Sequence, residues 1–268
     1  MTTAQKIIKY CAIAFAVFLI VSIIGGLLRL FWLFSNDDSV GEMKTYDVTE
    51  TVEKLEVDLS AAQLEIKSGS SFGVESNHKH LKLESSNGLL SIKEEHHNFG
   101  IHADSVKVIL TVPENFVFGK ADVSTGAGTV KIDELTADSL LLELGAGEVT
   151  IDKLTANTSV KIDGGAGELT IDGGELANLD FDMGVGEVNL ESRLTGNCEI
   201  DYGVGELNMT LVGKSEDYSI TIDKGVGEAT LEGRTMHDGE TYGTGNTSVE
   251  IDGGVGELNV CFDEQDGV

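Results

Sequence analysis

A chain of 268 residues with 46 acidic and only 18 basic side chains carries a formal net charge of −28. Such a balance excludes nucleic acid as a partner and keeps the bulk of the chain away from anionic lipid, since both need Lys or Arg patches. Three cysteines build no disulfide framework.

From Cys11 to Leu28 run 18 apolar or small residues without a charge. As a helix this stretch is about 27 Å long, close to the ~30 Å hydrocarbon core of a bilayer. Lys9 and Arg29 bracket it, and Phe31 and Trp32 suit the interface. A cleavable signal peptide is the alternative, but no small-x-small site precedes Asn36-Asp37-Asp38. Lys6 and Lys9 precede the span and every acidic residue follows Ser35. The positive-inside bias therefore predicts a cytoplasmic N-terminus and an extracytoplasmic domain. The expected divisions are a cytoplasmic stub (1–9), a transmembrane helix (10–34), a linker (35–45), a repeat domain (46–262) and an acidic tail (263–268).

Leu55 to Ile66 alternates apolar and polar residues on both sides of a small-residue corner at Ser60-Ala61-Ala62. Ser85-Ser86-Asn87-Gly88 separates two further short apolar runs and fits either a hairpin or a coil corner. Histidines gather in this region at 78, 80, 96, 97 and 102. At a coil period near 19, His78 and His97 become stacked neighbours, a candidate Zn²⁺ or pH-responsive patch against the alternative of exposed loop histidines.

From Gly126 the sequence spells glycine, a small residue and glycine seven times, six of them followed by Glu. Successive sites begin 19, 20, 19, 19, 22 and 29 residues apart, the mark of a solenoid whose coils pack only on their neighbours. Around each site the polarity alternates, as in Val160-Lys161-Ile162-Asp163 and Glu168-Leu169-Thr170-Ile171, so two short strands meet at a corner. The glycines are expected to supply positive φ there, and the Ala or Val between them to fill the inside of the corner. Ile162, Phe181, Ile200, Ile222 and Ile251 are expected to stack as one ladder in chain order, and Leu169, Val188, Leu207 and Leu258 as another. The predicted fold is all-β, a parallel β-solenoid of roughly eleven coils and about 50 Å at ~4.8 Å per coil. Cys198 should face inward and Cys261 outward. Extra residues at 213–218 and 233–247 are expected to loop out on one face, as mobile loops or as binding elements.

The run Val52-Glu53-Lys54-Leu55-Glu56-Val57, the segment Asn87-Gly88-Leu89-Leu90-Ser91-Ile92, the strand Val106 to Pro113 and the glycine repeats together resemble a bacterial family of β-strand-repeat domains of unknown function. That family is described as candidate adhesins and is related to the toast-rack envelope domains; the resemblance covers about residues 50–262. It implies a solenoid with one sheet per face, outside the cytoplasmic membrane, without catalytic residues to carry over. Relatives tied to envelope stress imply a regulatory role as the alternative to adhesion.

The repeat places carboxylates in two rows. One holds Glu143, Asp163, Asp182, Asp201, Asp223 and Asp252; the other holds Glu148, Glu168, Glu187, Glu206, Glu228 and Glu257. Ca²⁺ between coils would relieve their repulsion, yet the calcium nonapeptide differs in pattern and period, and outward carboxylates that discourage edge-to-edge aggregation are the alternative. A catalytic pair should interrupt a repeat, whereas these acids constitute it. No nucleophile elbow or phosphate loop is present. The expected function is that of a non-enzymatic, membrane-anchored cell-envelope interaction module; the alternatives are an envelope-stress regulator bound to a membrane partner, and a Ca²⁺-binding surface protein.

Overall fold

The computed structural model describes residues 40–48, 50–95 and 105–264. The expected membrane span, the acidic tail beyond residue 264, and His96, His97 and His102 lie outside the described residues. No helix among the described residues is long and apolar enough to cross a membrane.

Among the described residues the domain is formed by eighteen strands. At the N-terminal side lie β1 (Val40–Tyr46), β2 (Lys54–Ala61), β3 (Gln63–Gly69), β4 (Gly73–His78), β5 (Leu81–Ser86), β6 (Leu89–Glu94) and β7 (Lys107–Pro113). The glycine repeats build β8 (Phe118–Ile132), β9 (Leu135–Ile151), β10 (Leu154–Ile171), β11 (Gly174–Ala177), β12 (Leu179–Thr195) and β13 (Asn197–Val212). The C-terminal part adds β14 (Tyr218–Asp223), β15 (Val226–Leu231), β16 (Arg234–Thr235), β17 (Glu240–Tyr242) and β18 (Thr247–Asp263). The stretch read as a linker thus contains a strand, β1.

Coils stack in parallel through the middle of the molecule, β8 on β9, β9 on β10, β10 on β12 and β12 on β13. Alternation of apolar and polar residues makes this stacking favourable, because every second side chain enters a shared core. The clearest ladder runs Ile92, Val57, Val123, Leu142, Ile162, Phe181, Ile200, Ile251, Ile222 through nine parallel layers. None of these side chains is more than 2% exposed. Burial contributes about 1.5–3 kcal/mol for each such side chain. No coil could collect that alone, which is why the fold needs its neighbours.

Three expectations are corrected. The molecule is not parallel throughout, since β4 and β1 continue antiparallel from β7, β5 lies antiparallel on β6, and β17 and β16 lie antiparallel on β14 and β15. Among the described residues the parallel layers number nine rather than eleven, but the antiparallel strands extend the run of neighbouring strands on one face to twelve, about 53 Å at ~4.8 Å per step. The coils also do not follow chain order at the ends. β18 lies between β13 and the layer formed by β14 and β15, so Ile251 separates Ile200 from Ile222. Likewise β2 and β3 lie between β8 and the layer of β6 and β7.

The excursions are structural as well. Residues 215–217 make a 3-10 turn, and within 233–247 the short strands β16 and β17 cap the end of the stack. The segment Asn87-Gly88 is a hairpin turn between β5 and β6, both residues at positive φ (51° and 78°).

Candidate functional site

The corner where the glycines recur is built by backbone contact between coils. A Cβ on Gly147 would stand 1.9 Å from the carbonyl oxygen of Gly128, and one on Gly186 would stand 1.8 Å from that of Gly167. The first glycine of each pair is equally confined, with 2.0 Å between a Cβ on Gly145 and the Gly126 oxygen. Only the second glycine of the pair has positive φ in the central coils, for example 155° at Gly186. The expectation that both supply positive φ is therefore corrected: the first is glycine because the next coil leaves no room for a side chain.

The residue between the glycines is not core filler. Ala127, Ala146, Ala166, Val185, Val204 and Val255 are half-buried, and Val226 is 57% exposed. In ladder order, ending with Val226, they form an apolar ridge along one edge of the stack. The space inside the corner is filled instead by Leu144, Met183 and Tyr202, while Gly164 and Gly253 at the equivalent positions accommodate their neighbours. A Cβ on Gly164 would meet the Met183 sulfur at 2.3 Å, and one on Gly253 the Tyr202 hydroxyl at 2.6 Å.

Both expected carboxylate rows exist, one on each side of this ridge, with the order changed at the end. The first reads Glu143, Asp163, Asp182, Asp201, Asp252, Asp223; the second reads Glu148, Glu168, Glu187, Glu206, Glu257, Glu228. Beside the first row stands a second column of outward residues, Lys161, Asp180, Glu199 and Glu250. Asp180, Asp182, Glu199, Asp201, Glu250 and Asp252 therefore tile one face as a grid of six carboxylates. At ~4.8 Å two unit charges in water repel by about 0.9 kcal/mol. Lys161 relieves one end, 3.0 Å from Asp163 and 3.2 Å from Asp180. At the centre, partial burial followed by the charges of Asp252, Asp182 and Asp180 holds the Asp201 carboxyl above the usual carboxylate range.

The other row is supported by hydrogen bonds that the sequence reading missed. Asn208 donates to Asn189 Oδ1 at 3.0 Å and to Glu206 Oε1 at 3.1 Å, Asn259 donates to Asn208 Oδ1 at 3.0 Å, and Thr230 donates to Asn259 Oδ1 at 2.9 Å. The signal was available: in three coils an Asn stands two residues after the corner glutamate. Stacked side-chain amides of this kind add to parallel coil pairing by linking each layer to the next.

Elsewhere, His78 lies buried at the end of β4. Its Nδ1 accepts the backbone N–H of His80 at 3.0 Å, and its Nε2 lies 3.7 Å from Glu94 Oε1. Cys198 is buried and Cys261 exposed, as expected, and burial pushes the Cys198 thiol up. Among the described residues no three His, Cys, Asp or Glu side chains converge as a metal-holding group. The row carboxylates stand largely exposed at strand spacing, an arrangement suited to long-range attraction of cations or basic surfaces.

This architecture defines a class: a repeat rod of stacked β-coils, closed at both ends and lined with charge on its faces. The chain belongs to the family Toastrack DUF4097, whose model matches residues 52–250. No curated protein matches it. Similar solved structures include a candidate cell adhesion protein from Clostridium sporogenes, 19% identical over 83% of this chain and 99% of its own, with a TM-score of 0.37. A candidate adhesin from Bacteroides fragilis is 14% identical, covering 83% and 98%, with a TM-score of 0.41. A protein from Parabacteroides distasonis, described as a candidate for lipid binding, is 14% identical, covering 83% and 97%, with a TM-score of 0.40.

Proposed function

We propose that this chain is a non-enzymatic cell-envelope interaction module, anchored by the apolar segment at 11–28 and carrying its repeat domain outside the cytoplasmic membrane. The observation that supports this reading is the carboxylate grid on one flat face. Its charges follow the repeat and present the same pattern in successive coils. A rigid acidic face of that kind suits an extended, basic envelope partner through many weak contacts, with affinity that falls steeply with salt. The family membership is compatible with it, and the candidate adhesins among the similar structures motivate the word adhesin-like.

The fold gives the anchored reading a direction. β1 lies at the N-terminal end of the stack, so an anchor before Val40 holds the rod by that end and leaves the β14–β17 end about 50 Å away.

Two experiments test the proposal. A membrane-impermeant maleimide applied to intact protoplasts should label exposed Cys261 and leave a Cys261→Ser variant unlabelled; labelling only after lysis overturns the localisation. Purified repeat domain should bind cell-envelope fractions at low salt, and a variant with Asp180, Asp182, Glu199 and Asp201 changed to Asn or Gln should lose most of that binding. Equal binding by the two proteins would remove the grid from the mechanism. Retention through a single membrane protein, insensitive to these changes, would favour the regulatory reading.

A further inference from the structure

The out-of-order position of β18 has a specific cause in the side chains. After β13 the chain reaches Gly213 and makes the 3-10 turn, then lays down β14 and β15 one layer further out, leaving an empty position beside β13. It caps that layer with β16 and β17 before β18 returns to occupy the gap. In strand pairing among the described residues, β14 and β15 meet the rest of the rod through β18 alone; a side-chain bond from the Tyr218 hydroxyl to the Val212 carbonyl, 2.9 Å, is a direct link across the junction.

Both candidate neighbours for β13 share its pattern. β18 reads Glu250-Ile251-Asp252-Gly253-Gly254-Val255-Gly256-Glu257, and the β14–β15 layer reads Thr221-Ile222-Asp223-Lys224-Gly225-Val226-Gly227-Glu228. The informative difference is at the position of Gly253, to which Lys224 corresponds by the constant offset between the pairs Asp223–Asp252 and Val226–Val255. Opposite it on β13 stands Tyr202, buried and 5% exposed, with its ring 2.6–2.8 Å from where a Cβ on Gly253 would be. Gly253 leaves the room that this ring occupies; Lys224 would place a side chain and a charge in it. A second difference reinforces the first: Asn259 continues the amide ladder from Asn208, whereas the corresponding residue in β15 is the shorter Thr230.

We propose that β18 is a closing strand, that Tyr202 admits it and rejects the β14–β15 layer, and that the terminal layer is held on the rod only once β18 is in place. Residues 213–263 then form a C-terminal arm docked chiefly through the parallel interface of β13 with β18, with the Tyr218–Val212 bond beside it.

The order of layers is tested in the full chain with Cys11→Ser, Cys198→Ala and Cys261→Ser. Asp201→Cys combined with Asp252→Cys places thiols on adjacent strands, ~4.8 Å apart at the backbone, and should crosslink; Asp201→Cys with Asp223→Cys places them two strands apart, ~9.6 Å, beyond disulfide reach. The adjacent pair Asp182→Cys with Asp201→Cys is the control. Crosslinking of the 201–223 pair, or of the control pair alone, overturns the arrangement.

Dependence on β18 is tested by amide hydrogen exchange on Gly253→Lys. Amides of β18, β14 and β15 should lose protection together, by about ten-fold or more, while β9 to β12 stay as in the parent. Unchanged protection in β18 overturns the role of Tyr202. Loss in β18 with β14 and β15 still protected overturns the dependence.

Discussion

At the scale of single residues, the chain uses glycine for two distinct purposes. The second glycine of each central pair needs both its positive φ and the absence of a side chain, so Gly186→Ala should be among the most damaging small substitutions. A Cβ there meets the Gly167 carbonyl at 1.8 Å; we expect a loss of about 2–4 kcal/mol in chemical denaturation, the range for strain combined with steric conflict. Asp201 gives a prediction of opposite sign. Its folded pKa is raised above its unfolded value, so the native state binds its proton more tightly and stability falls as pH rises through the window above 3.8. Asp201→Asn should therefore raise the melting temperature at pH 7, by an effect of about 0.5 kcal/mol at most given solvent screening. The gain should vanish when both proteins are melted below the unfolded pKa. The carboxylate rows were legible from the period alone, because residues that recur at coil spacing must stack. What Gly164 and Gly253 do was not legible, because their reason lies in Met183 and Tyr202 on other coils.

At the scale of elements, the two ends of the stack use the same solution with different strands. An open β-edge invites pairing with other chains, and at both ends antiparallel outer strands carrying charge blunt it, β1 and β5 at one end and the shorter β16 and β17 at the other. At the C-terminal end Glu240 holds this cap together by pairing with Arg234 and accepting the His237 backbone N–H at 2.9 Å. Glu240→Ala should speed hydrogen exchange across 234–242 while leaving β9 to β12 unchanged, because repeat rods transmit perturbation poorly beyond the adjacent layer. A fall in protection along the whole rod would contradict that locality. The repeat period exposed the central coils to sequence reading, yet the caps follow no period. Strands such as Arg234–Thr235 and Glu240–Tyr242 are too short to announce themselves, and so 233–247 reads as an insertion until its pairing with β14 and β15 is seen.

At the scale of the whole molecule, charge and packing oppose each other. A net charge of −28 on a rod whose acids align at strand spacing creates self-repulsion that the continuous apolar ladders overcome. Raising NaCl from about 10 mM to 200 mM shortens the screening length from ~30 Å to below ~10 Å and should raise the melting temperature. Millimolar CaCl₂ compared with MgCl₂ at equal ionic strength separates screening from coordination. With no three carboxylates converging among the described residues, the two salts should act alike, and a calcium-specific rise would reinstate inter-coil Ca²⁺ sites.

Closure at both ends also makes the rod's length a separable quantity. Because β9 pairs with β8 on one side and with β10 on the other through the same positions, removal of residues 135–153 would join Glu134 to Leu154 and set β10 on β8 with the one-residue irregularity between Ala156 and Ser159 that it now makes on β9. The molecule would shorten by one layer, about 4.8 Å, with both caps, Tyr202 and the closing strand untouched. Lineages can therefore tune how far such a rod reaches by gaining or losing coils between β8 and β12, whereas the same change beyond β13 would separate the lock from its key.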